Sequence, residues 1–246
     1  VTRGILRVDV ERLLTLNDLD GITLATLPHQ SDVREGKMIA TTKILPYALP
    51  EEVVARAESL AGDAPLLRLD PLASRSVALL VHGTEGSRDR TLTSFESALR
   101  QRLEALGSRL ERVEFVAGGE EDAEAHLAAA LRRLAADDHD LQILAGETAV
   151  QDRHDLSPRA VERAGGKVLC YGAPVDPGNL LLLAELDGIP VLGAPGCARS
   201  PKRNIVDLVL PRLLIGDRLD RRDIVAMGHG GLLEDVPERP LPRSRL

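Results

Sequence analysis

The densest cluster of polar side chains lies between an apolar run and a sequence that is typical of a helix start. The cluster comprises Gly146, Glu147, Thr148, Asp152, Arg153 and Asp155. A strand–loop–helix junction presents unpaired backbone N–H groups that suit a phosphate, and two carboxylates beside it could hold Mg²⁺. We therefore predict an anion site here, with Asp152 and Asp155 as metal ligands and catalytic groups. The residues alone leave open a plainer alternative, in which Asp155 only caps the helix and Arg153 pairs with it.

A second loop, at residues 172–179, is dense in proline and glycine. Pro177 and Gly178 would fix a tight turn in which the backbone can approach a ligand closely. Asp176 and Asn179 could hydrogen-bond to ring or amide groups of that ligand. The alternative is that this segment is an ordinary turn.

A third loop, at residues 193–201, follows another apolar run and precedes a predicted helix. Pro195 and Gly196 lead into Arg199 and Ser200, which together with a helix N-terminus could hold an anion. Ser200 is also a good N-cap residue in its own right. Cys197 has no histidine nearby in sequence to activate it, so we do not predict a nucleophile there.

The loop that follows the first apolar strand, residues 82–86, gives a weaker signal. Its spacing matches neither a P-loop nor a dinucleotide-binding fingerprint. Neither ATP nor NAD binding is therefore indicated by a motif.

Apolar runs and amphipathic runs alternate from Ser76 onward, which is typical of a mostly parallel sheet covered by helices on both faces. We predict strands at residues 76–81, 111–116, 141–144, 167–171, 180–183 and 190–193. We predict helices from a capping box at residues 93–96 to Gly107, at 120–136, from Ser157 to Gly165, and at 200–213. The expected fold is a three-layer, doubly wound α/β unit, whose ligands bind beyond the carboxyl ends of the strands.

The region before this unit differs in pattern. Residues 22–27 and 38–47 read as strands joined by a polar turn, so a small β-containing appendage is expected at residues 1–70. The α/β domain is expected at residues 71–236, and a Pro/Arg-rich tail or linker at 237–246. Because the chain opens at Val1 in a segment that reads as the interior of a domain, a fragment of a longer protein is one expectation.

Composition narrows the class of partner. The net charge of −7 and the aromatic content of 2% argue against a basic or base-stacking nucleic-acid surface. No apolar run approaches the roughly 20 residues that span a bilayer, so no membrane association is predicted. The two cysteines, Cys170 and Cys197, fit neither a metal-ligand spacing nor a disulfide framework, and a cytoplasmic protein is expected.

The three loops, in this order, resemble the molybdenum-cofactor biosynthesis domain that molybdopterin adenylyltransferases and molybdopterin molybdenumtransferases share. The resemblance lies in Gly146-Glu-Thr148 before Asp155-Leu-Ser-Pro-Arg-Ala160, in Pro177-Gly178 and in Pro195-Gly196. The chain is more closely similar to the branch that is fused to a cytidylyltransferase-like molybdopterin nucleotidyltransferase. This similarity covers nearly the whole chain and lies in residues 17–26, 38–44, 174–180, 193–201, 227–232 and 239–240.

The sequence departs from that pattern at three places. The first part of the N-terminal domain and the nucleotidyltransferase half have no counterpart in this chain. Ala145-Gly146 stands where the family has Gly-Gly, and because alanine resists a positive φ, the resemblance does not fix the geometry of the phosphate loop.

The resemblance implies that the chain binds molybdopterin, with Mg²⁺, during molybdenum cofactor biosynthesis. If it is an enzyme, it would be a transferase that acts by nucleotidyl transfer, using ATP or CTP, or by molybdenum insertion. One alternative is a non-enzymatic carrier that presents molybdopterin to a nucleotidyltransferase partner. Another is a nucleotide hydrolase on the same fold. Related domains form homo-oligomers, and the sequence leaves the oligomeric state open.

Overall fold

The computed structural model describes residues 3–117, 122–148 and 150–233. The chain divides into two compact units, Val1–Leu72 and Ala73–Leu246. Each unit has its own strands and its own buried residues. The tail predicted at residues 237–246 lies outside the described residues.

The first unit combines short antiparallel strands with two helices. Its elements are β1 (Arg3–Val8), α1 (Val10–Asn17), β2 (Ile22–Thr26), β3 (Asp32–Arg34), β4 (Ala40–Ile44), α2 (Glu51–Ala61) and β5 (Leu67–Pro71). Strand β1 is flanked by β3 and β5, and β2 pairs with β4. Leu6 and Val8 of β1 and Val33 of β3 form a small core.

The two strands predicted in this unit correspond to β2 and β4, which pair with Ile22 opposite Ile44. The expectation that one polar turn joins them is wrong, because β3 lies between them in sequence and pairs with β1. The Arg3 guanidinium donates to the Asp32 carboxylate at 2.8 Å, which adds a charged contact across that pair of strands.

The second unit is an α/β fold. Its strands are β6 (Ser76–Gly83), β7 (Arg109–Ala117), β8 (Leu141–Gly146), β9 (Lys167–Tyr171), β10 (Leu182–Leu186) and β11 (Ile189–Ala194). Its helices are α3 (Arg88–Ala105), α4 (Ala123–Ala136), α5 (Leu156–Arg163), α6 (Val206–Leu214) and α7 (Arg221–Ala226). Two 3₁₀ turns, Glu85–Ser87 and Gly196–Arg199, occupy loops of this unit.

One sheet of six strands organises the second unit, in the order β7-β6-β8-β11-β10-β9. Strands β7, β6, β8 and β11 are parallel, whereas β10 runs antiparallel to both β11 and β9. Ala78 and Leu80 of β6 pack in one cluster with buried residues of α4 and α5. The residues that alternate with them point to the other face and are equally buried: Val77, Leu79 and Val81. The predicted three-layer fold with a mostly parallel sheet is confirmed.

Three predicted helix starts are wrong. Helix α3 begins at Arg88, so the expected capping box at residues 93–96 lies inside the helix. Helix α5 has Asp155 at its N-cap position, and the Ser157 hydroxyl contacts His82 instead of capping the helix. Helix α6 begins only at Val206, because the buried Arg102 guanidinium binds carbonyl oxygens that a longer helix would use for itself.

Candidate functional site

Four loops meet at the carboxyl edge of the six-stranded sheet, and each carries polar residues. They follow β6, β8, β9 and β11, which all point toward this edge. A cleft of about 350 Å³ lies there. The cleft is lined by His82, Thr148, Val150, Gln151, Asp155, Leu156 and Ser157. The end of β6, the loop after β8 and the first turn of α5 therefore form its walls.

His82 and Ser157 form a buried polar pair in this cleft. The His82 Nε2 and Ser157 Oγ atoms are 2.7 Å apart, although the two residues come from β6 and α5. Burial lowers the pKa of His82 from its ordinary 6.5 to about 4, so the imidazole is neutral near pH 7. A neutral histidine and a hydroxyl can offer hydrogen bonds to a ligand without adding charge.

Gly146 is required by the position of the His82 ring. A Cβ atom at this position would lie 2.7 Å from the His82 Cε1 and Nε2 atoms and 2.8 Å from the Thr148 carbonyl oxygen. Neither Ala145 nor Gly146 has a positive φ, because both lie within the extended strand β8. Ala145 therefore does not alter the loop through its φ, and the constraint at Gly146 is one of space.

The Asp155 carboxylate organises the loop that precedes α5. Its Oδ2 atom accepts hydrogen bonds from the backbone N–H groups of Gln151 at 2.6 Å and Asp152 at 3.0 Å. The Asp152 carboxylate in turn accepts from the His154 N–H at 2.7 Å. Arg153 pairs with Glu162, on the surface of α5, and not with Asp155 as the plainer alternative expected. Asp155 lines the cleft, whereas Arg153 lies outside its lining.

These carboxylates limit how a metal ion could be held. Among the residues that the structure describes, no group of three or more His, Cys, Asp or Glu side chains is placed to share a metal ion. Asp152 and Asp155 supply two carboxylates, and Mg²⁺ usually takes one or two together with water and substrate phosphate oxygens. The pair therefore fits a metal ion only as part of a ligand set that a phosphate would complete.

Glu147 turns away from the cleft toward the loop after β6. Its Oε2 atom accepts from the Thr84 backbone N–H at 2.8 Å and from the Thr84 hydroxyl at 2.9 Å. These bonds, and the nearby Ser87 hydroxyl, lower the pKa of Glu147. The Arg90 guanidinium lies 3.8 Å from the other carboxylate oxygen. Glu147 is therefore ionised and engaged by residues that the sequence analysis did not select.

Arg199 joins the loop after β11 to the loop after β8. Its Nη2 atom donates to the carbonyl oxygens of Gly146 at 2.9 Å and Glu147 at 2.8 Å. Its guanidinium also lies over the Phe95 ring, 4.5 Å from the centroid. Two of the three predicted loops are thus in direct contact.

The rest of the loop after β11 is held by Arg102, a residue of α3. Arg102 donates to the carbonyl oxygens of Ala198, Ser200 and Lys202 and forms an ion pair with Asp207 at 2.9 Å. The Ser200 hydroxyl accepts from the Lys202 N–H. Pro195 precedes the 3₁₀ turn that contains Gly196 and Arg199. Burial raises the pKa of the Cys197 thiol, which favours its protonated form.

The loop after β9 is supported from two sides. The bond between Asp176 and Pro177 is cis, and a Cβ atom on Gly178 would lie 2.3 Å from the Ile205 side chain. The Ile205 N–H donates to the Pro177 carbonyl oxygen at 3.1 Å, which connects this loop to the start of α6. The Asp176 N–H donates to the Gly231 carbonyl oxygen, so residues 227–231 act as a support. The Asn179 side chain is exposed.

This loop also meets the one after β8, because the Tyr171 hydroxyl at the end of β9 donates to the Val150 carbonyl oxygen at 3.4 Å. The structure therefore brings the three predicted loops to one edge, while the binding role of each predicted residue stays a prediction. From the sequence, residues 82–86 gave only a weak signal, and His82, Thr84, Ser87 and Arg90 were not selected as site residues. One signal could have found His82, since an ionisable residue at the end of an apolar strand lies at the ligand-binding edge of a parallel sheet.

No helix among the described residues is both long enough and apolar enough to cross a membrane. No family model matches the sequence. No curated protein matches it either.

Solved structures that are similar in overall fold include two proteins of molybdenum cofactor biosynthesis. One is a molybdopterin biosynthesis MoeA protein from Pyrococcus horikosii, at 16% identity over 87% of this chain and 67% of that chain, with a TM-score of 0.43. Another is a molybdenum cofactor biosynthesis protein B, at 14% identity over 57% of this chain and 94% of that chain, with a TM-score of 0.40. Neither likeness bears on the side chains of the site.

Proposed function

We propose that the chain binds molybdopterin at the carboxyl edge of the six-stranded sheet and takes part in molybdenum cofactor biosynthesis. The observation that carries the proposal is the meeting of the three loops through which the sequence resembles molybdopterin-binding domains. Arg199 bonds to the carbonyls of Gly146 and Glu147, and Tyr171 bonds to Val150. Loops that are separated by tens of residues in sequence thus lie together at one edge of the sheet.

The cleft offers different chemistry to the two ends of such a ligand. The neutral His82–Ser157 pair suits the amide and amine edges of a pterin, and Asp176 and Asn179, which lie outside the lining of the cleft, would add polar groups from the loop after β9. The loop after β8 would lie near the terminal phosphate. Asp155, aided by Asp152, would hold Mg²⁺ together with phosphate oxygens, and the ion would neutralise phosphate charge.

Binding does not by itself make the chain an enzyme. With ATP or CTP, a bound molybdopterin phosphate would be the acceptor in nucleotidyl transfer, in which positioning and charge neutralisation contribute most of the catalysis. Molybdenum insertion would use the same loops to hold the dithiolene. A carrier would bind molybdopterin and pass it to a nucleotidyltransferase partner without turnover.

Calorimetric titration with molybdopterin, under anaerobic conditions with Mg²⁺, tests the proposal. We expect saturable binding by the wild type. Asp155→Asn keeps an acceptor for the Gln151 N–H but removes the charge, so about tenfold weaker binding is expected, or ~1.4 kcal/mol. Asp63→Asn, a matched change at an exposed aspartate of the first unit, should leave the affinity unchanged.

Adding ATP, CTP or molybdate to the complex then separates the alternatives. Formation of a product would identify the step that the chain catalyses. Tight binding without product would favour the carrier. A folded wild type that binds no molybdopterin would contradict the proposed function, and hydrolysis of a free nucleotide would favour the hydrolase.

A further inference from the structure

The Glu147 carboxylate accepts hydrogen bonds from a small set of donors beside the cleft. The donors are the Thr84 backbone N–H at 2.8 Å and the Thr84 hydroxyl at 2.9 Å, and the Ser87 hydroxyl beside them donates to the Thr84 carbonyl oxygen at 2.9 Å. Backbone N–H groups and hydroxyls converging on one oxygen are the groups that proteins use for phosphate and sulfate. We call this set of donors the Thr84 cradle.

Two arginines lie next to the Thr84 cradle, but it holds one carboxylate. Arg90 is mostly exposed and reaches to 3.8 Å from Glu147. Arg199 is half-buried, and its pKa is lowered by burial and by the nearby charge of Arg90, while the Glu147 charge acts in the opposite direction. Its Nε atom is buried without a hydrogen-bond partner. No carboxylate among the described residues is close enough to form an ion pair with Arg199.

The charge balance at this place therefore favours an additional anion. A partly desolvated guanidinium whose partners are carbonyl oxygens and an aromatic ring is costly, because these neutral groups replace lost water without neutralising its charge. A singly charged Glu147 cannot neutralise both arginines. A phosphate group would bring up to two negative charges and more acceptor oxygens to the same donors.

We propose that the Thr84 cradle is a phosphate-binding site in which the Glu147 carboxylate occupies the place of the ligand and is displaced when a phosphate group binds. Glu147 lies on a loop, and its side chain keeps 26% of its accessible surface, so it has a route to solvent. Arg90 and Arg199 would then face the bound anion. The inference rests on the proposed function only for the identity of the ligand that bears the phosphate group, which would be molybdopterin or a nucleotide.

Because Glu147 competes with phosphate for the cradle, the apparent affinity for phosphate is the intrinsic affinity multiplied by the fraction of molecules in which the cradle is free. If Glu147 occupies the cradle about ten times more often than not, its removal should tighten phosphate binding roughly tenfold. Glu147→Ala removes the carboxylate, and Glu147→Gln keeps its size while removing its charge. Both variants should bind inorganic phosphate more tightly than the wild type, and Glu147→Ala should gain the most.

Titration with inorganic phosphate, at constant ionic strength and without molybdopterin, tests this proposal. In the Glu147→Ala background, Arg90→Ala should weaken phosphate binding about fivefold, because a nearby charge is lost. Arg222→Ala, a change at an exposed arginine of α7, should leave the affinity unchanged. Circular dichroism on each variant shows whether it is folded, and Glu147→Gln serves as the second variant if Glu147→Ala is not.

The proposal is overturned if neither folded Glu147 variant binds phosphate more tightly than the wild type, or if Arg90→Ala and Arg222→Ala weaken binding equally. A competition titration then identifies the ligand that bears the phosphate group. CTP should displace inorganic phosphate if the cradle binds a nucleotide, and molybdopterin should displace it if the cradle binds the pterin phosphate. Phosphate binding without molybdopterin binding would support the cradle and contradict the proposed function. The two claims can thus fail separately.

Discussion

Arginine side chains have different partners at the two edges of the six-stranded sheet. At the amino edge, Arg75 pairs with Asp140 at 2.8 Å, and the buried Arg212 pairs with Asp217 at 3.0 Å and Asp223 at 2.8 Å. At the carboxyl edge, Arg199 contacts carbonyl oxygens and an aromatic ring instead of a carboxylate. The amino edge is neutralised by the protein itself, whereas the carboxyl edge keeps an incompletely neutralised guanidinium beside its cleft.

This contrast separates polar groups that only stabilise the fold from polar groups that stay available to bind a ligand. Polar groups that serve only folding are satisfied within the chain, because an unpaired buried group is costly. A cationic side chain next to a cleft that lacks a carboxylate partner is typical of a site in which the cation contributes to ligand binding. The comparison therefore supports the carboxyl edge as the place of function.

Breaking the amino edge should have the largest effect on stability. Arg212→Met removes the partner of two carboxylates, so we expect the free energy of unfolding to fall by roughly 3 to 4 kcal/mol. Urea titration measures this change. Arg222→Met, at an exposed arginine, serves as the control and should change stability by less than about 0.5 kcal/mol. Equal losses in the two variants would contradict the assigned role of Arg212.

The buried His82 makes stability depend on pH. Its pKa is about 4 in the folded chain against an ordinary 6.5, so the unfolded chain binds a proton at higher pH. The stability due to neutral His82 is fully present above pH 6.5 and is lost as the pH falls toward 4, by about 3 kcal/mol over that range. His82→Gln should reduce this loss, whereas His126→Gln, at an exposed histidine, should not. Parallel stability curves for the two variants would refute the assignment.

Filling the space at Gly146 should have a smaller effect. Gly146→Ala places a methyl group against the His82 ring, and we expect a loss of about 2 kcal/mol from overpacking. Gly86→Ala meets no atom within 4 Å and should cost little. Adding His82→Ala to Gly146→Ala should recover part of the loss. A double variant whose loss equals the sum of the single losses would show that the ring is not the cause.

Arg199→Met should have the smallest effect on stability, at about 1 kcal/mol, because no carboxylate is left unpaired when the guanidinium is removed. The same urea titration checks this value against Arg212→Met. A loss as large as that of Arg212→Met would mean that the carboxyl edge is as fully neutralised as the amino edge, and the comparison between the edges would fail.

The strands could be predicted from sequence because buried parallel strands are continuous apolar runs. The runs at 76–81 and 141–144 lie within β6 and β8, and residues 167–171 coincide with β9, an edge strand that pairs antiparallel with β10. The run at 180–183 overlaps β10 by only two residues, because β10 extends as Leu182–Leu186 to pair with β11. The helix starts were harder to predict, because distant residues decide them. Arg102 shortens α6 from a position nearly a hundred residues away.

The site was predictable only at the level of loops. Proline, glycine and carboxylate clusters placed residues 146–155, 172–179 and 193–201 at the ends of strands, and the rule for parallel sheets placed them at one edge. The partners of each side chain could not be predicted. Arg153 pairs with Glu162, and Glu147 is bound by Thr84, because such contacts depend on the packing of α3 and α5.

Hydrogen-exchange mass spectrometry, with and without molybdopterin under anaerobic conditions, tests the central claim most directly because it reports where the ligand binds. We expect slower exchange on binding in residues 146–155, 172–179 and 195–204 at the carboxyl edge. Segments at the amino edge, such as residues 137–141 and 215–220, should be unchanged. Protection confined to the amino edge, or no protection at saturating ligand, would contradict the assignment of the carboxyl edge as the molybdopterin site.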